Sequence, residues 1–258
     1  MPADFSSWMG KMVDAVGRSW RTVGLLQLVL VIPLAIVLAL FQHAAGSRMG
    51  VVTSGNTTKL EFDHPGAAVG LAVVLVVVVV AVVLGALVQL ACLWVVVKEA
   101  DNQPIDPARV ARFAFSRVLP MIGWEIVAGL LVAIGLIAIL LPGIYLGVVL
   151  LPTILGVVGL ERAGIRRCFE LARGRFFALL GRCCVAVLIA AAYSELVQVI
   201  TNIIFGRDAT GWGVQVVAAV LQLPLDVAGV AFLVVTYAEL RGAHGPASTR
   251  QLSAALDG

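Results

Sequence analysis

Residues Ala67–Val97 read AAVGLAVVLVVVVVAVVLGALVQLACLWVVV, and Val73-Val74-Leu75-Val76-Val77-Val78-Val79-Val80 within them is an unbroken aliphatic run. In water, a valine run of this kind favours a buried strand. The stretch carries no charge, however, and about 20 apolar residues suffice to cross the hydrocarbon core of a bilayer. In lipid a lone strand leaves its backbone N–H and C=O groups unsatisfied, whereas a helix bonds them internally. The stretch therefore predicts a transmembrane helix long enough to tilt or to extend past the membrane.

Five further apolar runs lie at Val23–Phe41, Leu119–Leu141, Ile144–Leu160, Phe176–Phe205 and Trp212–Leu240. Composition agrees: 61% of the 258 residues are hydrophobic and 13% charged, against about 25% charged in a typical soluble domain. No segment is polar enough, over enough length, to form a soluble domain. Leu141-Pro142-Gly143 separates the third and fourth runs and suits a tight turn between antiparallel helices. The first run follows Lys11, Arg18 and Arg21 and reads as a retained span rather than a cleavable signal. The expectation is an all-α polytopic membrane bundle of six transmembrane helices. It forms one domain over residues 1–240 with an N-terminal amphipathic helix, followed by a mobile tail over 241–258.

Basic residues set the orientation. Fifteen of the 18 fall before the first span, between the second and third, between or just inside the fourth and fifth, or after the sixth. Only Arg48, Lys59 and Arg207 fall on the other side. The pattern predicts a multi-pass protein of the inner (cytoplasmic) membrane with both termini cytoplasmic. The opposite face carries a loop from about His43 to Pro65, in which Asn56-Thr57-Thr58 matches a glycosylation sequon, a frequent chance pattern.

The segments before the first, third and fifth spans share a pattern. In the first, Ser7, Lys11, Asp14, Arg18 and Arg21 form a polar face opposite Phe5, Trp8, Met9, Met12 and Val16. In the second, Arg109, Arg112 and Ser116 are polar, while Ala111, Ala114, Phe115 and Val118 are apolar. In the third, Arg162, Arg166, Glu170 and Arg173 oppose Ile165, Cys168, Phe169, Ala172 and Phe176. Such faces suit helices lying in the membrane interface. The layout reads as three repeats of interfacial amphipathic helix plus transmembrane hairpin.

The stretch Leu160–Phe177, LERAGIRRCFELARGRFF, resembles the E-x-x-G…R-S-x-x-L-x-x-G-x-F/W pattern of the glycerophosphodiester phosphodiesterase membrane-domain family and related bacterial polytopic membrane proteins. Tyr237-Ala238-Glu239-Leu240-Arg241 is similar to that family's closing Y-x-D-L-R, although Glu239 and Cys168 depart from its pattern. In that family the membrane domain can accompany a catalytic domain. This chain shows no such domain, so the resemblance implies no phosphodiesterase activity here.

Charges within spans are costly and mark function or helix pairing. Glu195 in the fifth span and Asp226 in the sixth suggest one polar cavity with Tyr193, Ser194, Gln198, Asn202 and Gln222. Two carboxylates there suit a proton relay or a cation site; alternatively they pair with arginines, share a proton or reach the interface. Glu125 is a third such carboxylate, expected near the headgroups. Arg109, Arg112, Arg117, Arg162, Arg166, Arg167, Arg173 and Arg175 are candidate contacts for anionic lipid headgroups, each worth roughly 1 kcal/mol when exposed near such a surface. The same charges also serve simply to set topology.

Cys92, Cys168, Cys183 and Cys184 contain no C-x-x-C pair, and the three histidines are scattered, so no metal or cofactor is expected. A net charge of +3 is too small to suggest nucleic acid. P-loop, H-E-x-x-H and G-x-S-x-G patterns are absent. The expected function is a non-enzymatic scaffold or accessory subunit that organises membrane lipids, anionic ones among them, or a partner membrane protein. The alternative is a small transporter of a lipid or hydrophobic solute that uses the intramembrane carboxylates.

Overall fold

The computed structural model describes residues 5–46, 51–54, 57–60, 67–138, 140–206, 212–243, 253 and 256, with side chains described up to 28 in the first helix and from 75 in the second. Helix α1 (Phe5–Gly46) is continuous over 42 residues. At 1.5 Å per residue it is about 63 Å long, twice the roughly 30 Å of a bilayer's hydrocarbon core. The expected first span, Val23–Phe41, lies on this helix, but its side chains from residue 29 onward fall outside the described residues. Strands β1 (Val51–Ser54) and β2 (Thr57–Leu60) pair antiparallel, with Val51 opposite Leu60. This small ribbon lies where a loop was expected; Asn56, the sequon residue, is outside the described residues.

Helices α2 (Ala67–Ala100), α3 (Pro107–Ala138), α4 (Leu140–Gly156), α5 (Ile165–Ala172), α6 (Phe176–Phe205) and α7 (Trp212–Gly242) complete the fold. Five helical segments among the described residues are long and apolar enough to cross a membrane. The chain is thus a multi-pass membrane protein, all-α apart from the ribbon.

The connections follow from local chemistry. Asn102 takes a left-handed conformation (φ 52°) after α2, and Gln103 N–H donates to the Lys98 carbonyl at 3.0 Å. That bond and Asn102 N–H to Glu99 O make a Schellman stop. Asp106 then caps α3 by accepting from Ala108 N–H at 3.0 Å, with Pro107 at the first helical position. Helix α3 ends at Ala138 and α4 begins at Leu140, so Pro142 and Gly143, expected at the turn, lie within α4. A Cβ at Gly135 would sit 2.9 Å from the Gly143 Cα, so the two backbones touch. Lipid tails are as apolar as leucine, and small residues let helices gain van der Waals contact that hydrophobicity cannot supply.

The three expected interfacial helices do not recur as separate elements. The first two amphipathic segments run without a break into α1 and α3; only α5 stands alone, set off from α6 by Gly174 at φ 77°. Their apolar faces also meet protein in part, although Phe5 of the first is exposed. On α1, Trp8, Ala15, Ser19, Val23 and Gln27 are buried and the polar face is exposed. On α3 the buried face is Val110, Phe113, Ala114, Arg117 and Met121, whereas Ala111 and Phe115, expected on the apolar face, are exposed. Beyond residue 243, two residues of the tail are described. Ser253 and Leu256 are buried, and Ser253 Oγ accepts from Lys98 Nζ at 3.1 Å.

Every residue of α2 from Leu90 to Val97 is buried, while Leu75, Val76, Val78, Val79, Val80 and Val82 are exposed. The core therefore sits toward the basic end of the bundle. There α4 gives way to a π-helical turn, Val157–Glu161, which Arg162 closes in a left-handed conformation. Gly156 faces the Tyr237 ring and Gly159 faces Leu93, each so closely that a Cβ would collide. Gly156→Val is expected to push Tyr237 off this seat and destabilise the protein by about 1–3 kcal/mol, read as earlier thermal unfolding in detergent. Gly123→Val, where a Cβ has open space, is expected to change it far less.

Candidate functional site

Two places concentrate polar chemistry. The first is the basic end. Glu239 on α7 pairs with Arg182 on α6 at 2.8 Å and with Lys11 on α1 at 2.9 Å. The Arg182 and Glu239 side chains are 8% and 7% exposed, whereas Lys11 is 58% exposed. Arg182 also stacks over the Trp8 ring, and Trp8 Nε1 donates to Thr236 Oγ1 at 3.3 Å. Beside it, Glu161 accepts from Tyr237 Oη at 2.8 Å and from Arg167 Nε at 2.7 Å, with Arg241 Nε at 3.5 Å. These contacts raise the Arg167 pKa and hold the guanidinium charged, the hydrogen bond to Glu161 contributing most. Burial pushes the Cys168 thiol up, so it stays protonated and inert.

The second place is a cavity of about 590 Å³ between α1, α2, α6 and α7. Its walls are apolar except for Gln27, Gln89 and Asp226. Gln27 is 5% exposed, and its Oε1 has no hydrogen-bond partner among the described residues. Asp226 is half-buried and forms no ion pair with a described residue. Pro224 lies two residues before it on the same helix and cannot donate to the backbone ladder.

Comparison with known proteins gives no match. No family model, curated protein or solved structure resembles the chain.

The intramembrane residues expected together are divided by the fold. Tyr193 Oη donates to the Leu221 carbonyl at 2.7 Å, and Gln222 Nε2 donates to Ser194 Oγ at 3.1 Å, which ties α6 to α7. Asp226 lines the cavity. Glu195 and Gln198 lie on the exposed face of α6 and do not line it, so the joint Glu195–Asp226 cavity is corrected to a site holding Asp226 alone. Glu125 is half-buried on α3.

Among the headgroup candidates, Arg109, Arg112, Arg162, Arg166 and Arg173 are exposed, and Arg175 is half-buried. Arg117 is a correction. It is buried, stacks on Phe113 at 4.6 Å and donates to the Gly159 carbonyl of the π turn. Arg167 is held in its ion pairs with Glu161 and Glu170. Gln27 and Gln89 do not stand out in the sequence because uncharged amides in apolar runs carry little signal. Glu161 and Tyr237 stand out there only as parts of a motif.

Removing one partner of a buried ion pair strands the other charge. Glu239→Ala is expected to cost about 3–5 kcal/mol. Lys11→Ala breaks an exposed pair and is expected to cost about 1 kcal/mol or less. Thermal unfolding of both variants in the same detergent checks the ranking.

Proposed function

We propose that this chain is a non-enzymatic, six-span protein of the cytoplasmic membrane that holds a hydrophobic solute or lipid chain between its helices. The observation that carries this reading is the cavity between α1, α2, α6 and α7, with its one carboxylate. Its volume lies within the roughly 300–1,000 Å³ of small-molecule sites, and mostly apolar walls with a few polar groups are the usual character of such sites. An intramembrane carboxylate facing a cavity, rather than lipid, is where a substrate or ion pathway places one. The transport reading is thereby favoured over the scaffold.

The sixth span is assigned to α1, whose 42-residue length accommodates both the amphipathic segment and a crossing. The basic end is assigned to the cytoplasm from the distribution of Lys and Arg. The likeness to the glycerophosphodiester phosphodiesterase membrane-domain family belongs to the same proposal. In its favour, Glu161 of the first motif and Tyr237 and Arg241 of the second meet in one network.

A scaffold role is the second reading, and a separate observation favours it. Glu195, Gln198 and Asn202 recur at i, i+3 and i+7 on the exposed face of α6. Such a polar stripe suits hydrogen bonding to a helix of a partner membrane protein. The exposed arginines at the basic end suit anionic headgroups.

Native mass spectrometry of gently extracted protein tests the cavity. Wild type is expected to retain a bound apolar molecule, and Gly229→Trp, which fills the cavity from a wall position with open space, is expected to lose it. Equal retention by both proteins overturns the reading. In a cysteine-free background, single cysteines at Ser7 and Gly242 are expected to be shielded from a membrane-impermeant thiol reagent added to intact cells, and one at Thr57 labelled. Labelling at Ser7 but not Thr57 reverses the orientation.

A further inference from the structure

The cavity selects the chemistry of its occupant. We infer that its ligand is a compact hydrophobic molecule carrying one protonated amine, with the ammonium seated between Asp226 and Gln27. This rests on the proposed reading of the cavity as a binding site and names the ligand class.

Three observations converge. First, no lysine or arginine lines the cavity among the described residues. A phosphate or carboxylate headgroup would enter without a counter-charge and against Asp226, which excludes anionic lipid heads from this place. Second, the polar atoms present are suited to accept. Asp226 brings a carboxylate with no cationic partner among the described residues. Gln27 brings an oxygen that is buried and without a donor among the described residues. A buried acceptor left unmade costs the full desolvation of that group, and Asp226, half-buried, holds a carboxylate only partly reached by water. An ammonium offers three donors and one positive charge, and so answers both vacancies at once. Gln89 adds a third polar side chain on the facing helix. Third, the remaining walls are alanine, glycine, valine, leucine, isoleucine, methionine and phenylalanine. A bare metal ion or a hydrated polyamine would leave these walls wet or empty, whereas an apolar body fills them.

The division of labour is specific. The apolar walls give affinity for any hydrophobe of the right size. Asp226 discriminates the charged head from an uncharged one, and Gln27 orients it. Glu195 has no part, because it lies on the outer face of α6 and does not line the cavity.

The test uses the full chain in detergent with two probes of matched shape, 1-naphthylmethylamine and 1-naphthylmethanol, titrated calorimetrically at pH 7. Wild type is expected to bind the amine at least tenfold more tightly than the alcohol. Asp226→Asn, a near-isosteric change, is expected to erase that preference while alcohol binding persists. Gln27→Leu is expected to weaken the amine more than the alcohol. Gly229→Trp is expected to abolish binding of both. Equal affinity of the two probes for wild type, or a preference that survives Asp226→Asn, overturns the amine inference and leaves the cavity reading standing. Failure of wild type to bind either probe, or binding that Gly229→Trp leaves unchanged, counts against the cavity itself. Retained alcohol binding in Asp226→Asn shows that this variant is folded, so loss of the preference there reports on the charge.

Discussion

The ion pair between Arg182 and Glu239 lies where α1, α6 and α7 meet, and the basic end is organised around it. Both side chains are nearly inaccessible, so neither charge has water to fall back on. Each has to be answered by protein. Lys11 shares Glu239, Trp8 presents its ring to Arg182, and the Trp8 N–H is taken up by Thr236. One buried charge on α7 thus places the first two turns of α1 and of α6. In lipid, where apolar surface gives helices no particular reason to associate, such pins carry more of the specificity than they do in a soluble core.

The π-helical turn works by the same rule. A wider turn at Val157–Glu161 breaks the regular backbone ladder, and the Gly159 carbonyl is met by the buried Arg117 guanidinium. The turn ends on Glu161, which Arg167, Tyr237 and Arg241 surround. Glycines at 156 and 159 let Tyr237 and Leu93 approach the α4 backbone. Arginines that sequence alone assigns to the lipid surface are in part the mortar of this junction. Arg109 and Arg112 are exposed instead.

Tight packing at the basic end contrasts with the opening deeper in the bundle. Alanines and glycines of α2, α6 and α7 line the cavity and leave space that larger residues would fill. Asp226, Gln27 and Gln89 converge on that space from three different helices. Had they been there only to bond helices together, direct contacts between them would be expected, as between Ser194 and Gln222. The Gln27 oxygen instead remains without a partner among the described residues.

The sequence by itself determined the class of the protein. Long apolar runs bond their backbones internally as helices in lipid, and that constraint is local, so α2, α4, α6 and α7 were legible with their approximate limits, and α3 in its apolar part. The Asp106-Pro107 cap and the Gly174 turn were likewise written in neighbouring residues. Which faces of those helices meet, and at what height, is a property of several distant segments together, and only the tertiary structure decided it. Glu195 and Asp226 sit on adjacent spans and look like one site in sequence, yet helix rotation turns one outward and the other into a cavity. Arg117 reads as a surface charge until α4 unwinds beside it. Gln27 reads as an incidental amide until three other helices leave a space before it. Hydropathy records how apolar a residue's neighbours in the chain are, not what stands across from it, and the chemistry of this protein depends on the latter.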